Sequence, residues 1–284
     1  MRSSNPVFSR RGFSRNGNAG FAGGQPQAGN PFATGGTGAP AANPYANNPY
    51  APQTGYPAPP MGPPATGVMT MDDVVMRTSI TLGAVVAAAA VSWLMNLPMA
   101  VAIGAALVAM VLALVQSFKR TPSPALILAY AAFEGLFLGA ISNFVNQWVN
   151  GAAMQAVLGT MAVFVAVLVM YKTRIIRVNQ RFMRFAMAAA LGFILLMGVN
   201  LLFAVFGGGD GLGLRTGGLG ILMGVLGICI GAMFLALDFK QVEDGIAYGA
   251  PREESWMAAF GLTVTLVWIY LEFLRLIAIL QGGD

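Results

Sequence analysis

Between Val74 and Leu280 the sequence is almost entirely apolar and is cut into seven long runs by short polar breaks. A run of about 20 apolar residues, wound as a helix at ~1.5 Å per residue, crosses the ~30 Å hydrocarbon core of a bilayer. In lipid each backbone polar group must find its partner within the chain, so isolated runs of this kind cross as helices. The sequence therefore predicts an all-α integral membrane protein with seven transmembrane helices. They are placed near Val74–Met95, Pro98–Phe118, Pro124–Phe144, Ala152–Tyr171, Phe185–Phe206, Gly217–Phe239 and Ser255–Leu280. Asn96-Leu97-Pro98 is a very short turn, so one long hairpin interrupted by proline is the alternative for the first two.

Only 10% of the residues are charged, against roughly 25% in a soluble domain. Cys229 is the one cysteine, so no intrachain disulfide can form. Histidine is absent, which removes Ser-His-Asp triads, HExxH zinc sites and imidazole switches. A rhomboid-type protease needs a histidine, and a retinal-binding seven-helix protein needs a lysine in its last span, which has none. No enzymatic function is expected, although hydrolysis by carboxylates alone stays formally open.

Residues 1–70 differ from the rest. They are rich in Gly, Pro, Ala and Asn, with near-repeats at Asn43-Pro44-Tyr45-Ala46 and Asn48-Pro49-Tyr50-Ala51. Too few aliphatic side chains are present to offset the entropy of ordering, so a disordered tail is expected, followed by a membrane domain over 71–284. The spaced tyrosines suit a partner-binding or self-associating tract; a plain soluble tether explains them more simply.

Of the 16 Lys and Arg residues, all but Arg215 and Arg275 fall on one side of the alternating spans. The positive-inside rule then puts the N-terminus in the cytoplasm and Asp284 outside, in the cell (inner or plasma) membrane, and an odd number of spans requires the same. The cluster Lys172, Arg174, Arg177, Arg181 and Arg184 is read as a segment facing anionic lipid, not as a nucleic-acid patch.

Charge at membrane depth is expensive and marks function or a paired structural contact. Four residues qualify: Glu134, Asp238, Glu272 and Arg275. The sixth span carries Gly220, Gly224, Gly227 and Gly231 on one face, two GxxxG units that allow close helix approach. Asp238 falls seven residues beyond Gly231, on the same stripe, and so points into the bundle. The competing reading is an interfacial cap paired with Lys240 or a loop arginine. Glu134 lies about ten residues past Pro124, near mid-membrane at ~1.5 Å per residue. Small neighbours (Ala131, Gly135, Gly139, Ser142) indicate a protein-packed side, and no cation lies within one turn. Glu134 is either part of a transport path or a protonated structural acid bonded between helices. Glu272 and Arg275, at i and i+3, are placed to pair, although Arg275 is also near enough to the chain end to snorkel. Gly207–Gly213 lacks the GK[ST] of a phosphate loop, and the methionines are scattered core residues.

The runs Phe234-Leu235-Ala236-Leu237-Asp238-Phe239-Lys240-Gln241 and Ala250-Pro251-Arg252-Glu253-Glu254-Ser255-Trp256 resemble the Bax inhibitor-1/YccA family, also called the transmembrane Bax inhibitor motif family, in its bacterial branch. Trp268-Ile269-Tyr270-Leu271-Glu272-Phe273-Leu274-Arg275-Leu276 and Tyr130-Ala131-Ala132-Phe133-Glu134-Gly135 are similar to it as well. The resemblance spans about Met69 to Leu280 and leaves the tail out. It implies a Bax-inhibitor-1-like bundle, six helices around the last, and in some members a pH-sensitive calcium leak. There, two acids on the sixth and seventh helices share a proton and control a cytoplasmic gate. Asp238 matches the first; the second falls at about Thr265, which cannot share a proton in that way. Glu272 lies seven residues on, roughly 10 Å along the axis, and Glu134 with Asp238 would be a different arrangement.

Two functions follow. One is a pH-modulated cation (calcium) leak channel through Asp238, Glu134 and Glu272, with Arg275 and Thr265 supporting. Two or three carboxylates fall short of the 6–8 oxygens of a tight calcium cage, so Ca2+ binding is expected to be weak, with no cofactor and no assignable metal site. The other is a non-transporting regulator that binds a membrane protease or another membrane protein. Lipid is a partner in both, and nucleic acid in neither.

Overall fold

The computed structural model describes residues 67–207 and 211–282. The reading of the tail as a disordered tether falls, for residues 1–66, outside that range, and so does the placement of Asp284.

Seven helices form among the described residues: α1 (Met71–Leu94), α2 (Met99–Phe118), α3 (Pro124–Trp148), α4 (Ala152–Lys172), α5 (Gln180–Gly207), α6 (Gly217–Ala247) and α7 (Glu254–Gly282). All seven are long and apolar enough to cross a membrane. The local sequence explains several ends. Thr70 caps α1 by accepting from the Asp73 N–H, and Pro124 starts α3 where an amide donor would be unpaired anyway. Gly151, at φ 81°, makes the left-handed turn between α3 and α4. α1 and α2 are separate helices, turned by Asn96 at φ 49°, so the single interrupted hairpin does not form.

Three ends differ from the hydropathy reading by four residues or more. α6 continues eight residues past Phe239 to Ala247, because beyond the apolar stretch it becomes an amphipathic helix steadied by Lys240–Asp244 at 2.7 Å, an i,i+4 pair. α5 begins at Gln180, taking in Arg181 and Arg184, with Asn179 accepting from the Phe182 N–H. α3 runs on to Trp148. In each case helix outlasts hydrophobicity, since polar helical turns cost little once they leave the hydrocarbon.

Large aliphatic side chains such as Leu107, Met161, Leu195 and Leu222 point outward, while alanine, glycine and serine fill the interfaces. This is the arrangement expected where lipid, not water, surrounds the bundle and close packing drives association. α1 and α3 meet most tightly: a Cβ added at Gly139 would lie 2.2 Å from the Ala89 carbonyl oxygen, and one at Gly135 2.3 Å from that of Val85.

α7 is the most buried helix, packing against α6, α4, α1 and α3. The expectation of six helices around it needs correcting for two of them. α2 reaches α7 only through side chains, with Ala109 in the Tyr130–Phe260 cluster and Gln116 donating to Met257 Sδ. α5 lies against α6 and touches α7 through Phe193 and Trp268, ring centroids 5.8 Å apart.

Candidate functional site

The site is assembled along the seam between α6 and α7, which run antiparallel. The glycine stripe of α6 is covered residue by residue by α7. A Cβ at Gly220 would meet Ile279, one at Gly224 Leu276, one at Gly227 Glu272 at 2.8 Å, and one at Gly231 Ile269 at 2.6 Å. All four glycines are buried. The stripe thus does what its spacing predicted: it removes side-chain volume so that two backbones approach and α7 can insert bulky and charged groups. Trp268 Nε1 donates to the Gly227 carbonyl at 3.1 Å and locks the register.

Asp238 continues this stripe. Its Oδ2 accepts from the Thr265 hydroxyl at 2.6 Å, a separation in the charge-assisted range. Gly261, one turn earlier on α7, leaves room on the other side, since a Cβ there would be 3.3 Å from Asp238 Oδ1. The alternative of a cap paired with Lys240 does not form, because Lys240 turns to Asp244 and Glu243. Thr265, reached by resemblance, is the group facing Asp238. Gly261 was missed, for no pattern in one sequence marks which glycine of α7 opposes an acid on α6.

Glu272 sits farther along the seam and is 6% exposed. Arg275 Nη2 is 2.6 Å from its Oε2, and Arg215, from the α5–α6 connection, is 3.9 Å from its Oε1. The expected pair forms, but Arg275 does not snorkel; it lies over Gly224, with Nε and Nη1 buried and without hydrogen-bond partners among the described residues. Two guanidinium groups against one carboxylate leave this end of the seam net positive.

Glu134 is half-buried on α3 and has neither ion pair nor side-chain hydrogen bond among the described residues. It is seven residues beyond Ile127, on the face that carries Ile127 and Tyr130 towards α2 and α7. The small residues Gly135 and Gly139 face α1 instead. α3 and α6 make no contact, with α7 between them, so Glu134 and Asp238 are not brought together. The Glu134–Asp238 arrangement is thereby corrected: the two acids belong to different sides of α7.

A second polar cluster lies where the N-terminus of α1 meets the α6–α7 connection. Asp73, 6% exposed, accepts from Arg252 Nε and from the Thr70 hydroxyl, each at 2.8 Å, and Arg252 Nη2 completes the ion pair 2.8 Å from Asp73 Oδ1. Arg77 donates to the Arg252 and Glu253 carbonyls and lies 5.2 Å from the Trp256 ring. Val68 bridges Pro251, with Met69 N–H to Ala250 O at 2.9 Å and Arg252 N–H to Gly67 O at 2.7 Å. Residues 67–70, read from the sequence as the end of the tail, are therefore bonded to the helical bundle. These partners are about 180 positions apart, out of reach of any local pattern.

Among the described residues no three Asp, Glu, Cys or His side chains gather closely enough to hold a metal ion. What the seam offers a cation is one free carboxylate, Asp238, beside a hydroxyl oxygen. Seven helices long and apolar enough to span a membrane, with α7 the most buried of them and Asp238 on a glycine-lined seam, define a multi-pass membrane protein. The chain belongs to the Bax inhibitor 1 like family, whose sequence profile matches residues 5–282. The match takes in most of the tail, which the resemblance read from motifs had left out. No curated protein matches the chain.

Proposed function

We propose that this multi-pass membrane protein is a pH-modulated cation leak, calcium foremost, whose controlling contact is Asp238 with Thr265 on the α6–α7 seam. The observation that carries the reading is a carboxylate within a span, turned inward on a glycine stripe and held by a hydroxyl of the central helix. Such an acid costs several kcal/mol in lipid and marks an ion or proton path more often than a packing device. Carboxylate and hydroxyl oxygens are hard ligands suited to Ca2+, and their small number gives brief occupancy, the regime conduction needs.

The threonine changes how a proton acts. Two acids would share one proton and titrate as a coupled pair. A hydroxyl can donate to a carboxylate or accept from a carboxylic acid, so the α6–α7 hydrogen bond survives protonation with its direction reversed. The proton then acts by removing the charge on the path, biasing a two-state seam. The basic end of the bundle, where Lys172, Arg174, Lys240 and Arg252 lie, faces the cytoplasm in this reading. No enzymatic step is involved.

Reconstituted protein reads this directly as calcium flux between about pH 5 and pH 8. Asp238→Asn is expected to flatten the pH dependence, with a smaller effect from Glu134→Gln. Unchanged flux in both variants removes these acids from the mechanism.

One observation favours the second reading, a non-conducting regulator of a membrane protease or another membrane complex. Glu272 is neutralised by Arg275 and Arg215, which repel cations at that end of the seam. Absence of any flux, with a co-purifying membrane protein lost on deletion of residues 1–66, supports that reading.

A further inference from the structure

The glycine stripe of α6 does not stop at Asp238. Gly245 follows seven residues on, the same step that separates Gly231 from Asp238, so it lies on the same face about 10 Å nearer the basic end. Every earlier position of the stripe is covered by α7. Gly245 is not, because α7 begins only at Glu254 and the chain is still turning through Gly249, at φ 68°. Its cover is Met69, whose Sδ would be 3.3 Å from a Cβ at Gly245, with Ala250 beside it. Met69 is 3% exposed and packs in one cluster with Val74, Val167, Leu235, Ala236, Val242, Leu262, Leu266 and Ile269. Val242, 4% exposed, lies on α6 between Asp238 and Gly245.

We propose that residues 67–70 are a strap closing the basic-end mouth of the α6–α7 seam, with Met69 as its plug and the Asp73–Arg252 ion pair as its latch. The strap itself is held to the α6–α7 connection by the Val68–Pro251 bridge and its two backbone bonds, Met69 N–H to Ala250 O and Arg252 N–H to Gly67 O. The first turns of α1, which follow it directly, are held to the same connection by the Asp73–Arg252 ion pair and by the Arg77 bonds to the Arg252 and Glu253 carbonyls. Gly245 is covered by Met69 and Ala250, both outside the helices, so moving the strap uncovers this glycine without moving a transmembrane helix. Methionine suits the role: it is unbranched, fills an irregular gap and withdraws without rearranging its neighbours. The strap continues directly into residues 1–66, so a pull or a bound partner on that segment acts on the seam through Gly67. The inference that the strap controls flux rests on the leak reading; the closure itself does not.

The test separates the two. In full-length protein carrying Cys229→Ser, a reporter cysteine replaces Val242, a change of small volume, and a membrane-impermeant cationic methanethiosulfonate is applied from the basic face of proteoliposomes. With the strap intact the reporter reacts slowly. Met69→Gly, or Asp73→Asn, is expected to raise the rate by about tenfold, the factor that follows from losing ~1.4 kcal/mol of closure. The reversed pair Asp73→Arg with Arg252→Asp is expected to restore protection, which a merely misfolded variant does not do. A reporter rate unaltered by Met69→Gly and Asp73→Asn overturns the strap, as does failure of the reversed pair to protect. Faster labelling without any change in calcium flux leaves the strap standing and refutes its control of flux, whereas absence of flux from every form of the protein refutes the leak.

Discussion

Replacing Thr265 by valine removes one hydroxyl at nearly constant volume and leaves Asp238 without its donor on α7. The lost bond is 2.6 Å long and ends on a carboxylate. Hydrogen bonds to charged groups contribute ~1.5–3 kcal/mol in proteins, whereas interhelical bonds in membrane bundles average ~0.6 and reach ~1.7 kcal/mol, because the unfolded helices also find partners. The short distance and a half-buried acceptor place this bond towards the upper part of the membrane range, so about 1–2 kcal/mol is expected. The assay is a double-mutant cycle of Thr265→Val and Asp238→Ala, read by reversible unfolding in mixed micelles through tryptophan fluorescence. The coupling should be largest near neutral pH and shrink on acidification, where the bond no longer ends on a full charge. A coupling within ~0.5 kcal/mol of zero at neutral pH, the range of sites that simply add, refutes the claim that Thr265 holds Asp238.

The glycine stripe makes a prediction of opposite signs on one helix. Gly231→Ala sets a Cβ 2.6 Å from Ile269 Cγ1, close to the Ile269 backbone where nothing can yield, and should destabilise by ~1–3 kcal/mol; Gly218→Ala meets nothing within 4 Å and should be neutral or stabilise by ~0.5–1 kcal/mol through helix propensity. The two variants, unfolded side by side, give the signs. The orientation is read with a reporter fused after residue 284 that functions only outside the cytoplasm: activity is expected, and a cytoplasmic signal reverses the bundle.

Much of this protein was legible from its residues because lipid imposes strong, local rules. A span declares itself by about 20 apolar residues whatever its neighbours do, and all seven were visible. The face of α6 that packs was equally visible, since Gly220, Gly224, Gly227 and Gly231 share one side of a helix by geometry alone. The i,i+3 pair of Glu272 and Arg275 was within reach for the same reason. Helix ends were not, because Lys240–Ala247 and Gln180–Arg184 stay helical outside the hydrocarbon, where hydropathy no longer reports conformation.

What only the tertiary structure decided is which helices touch. Glu134 and Asp238 both read as inward acids, yet α7 stands between their helices and keeps them apart. Thr265 and Gly261 acquire meaning only because α7 runs antiparallel to α6 at a register set by Trp268 and Gly227. Met69 fell within the tail read over residues 1–70, and Asp73 and Arg252 looked like ordinary polar residues 179 positions apart. The physical reason is common to all three: periodicity fixes where a side chain points around its own helix, while the partner across the seam depends on the register and order of packing, which are properties of the whole bundle.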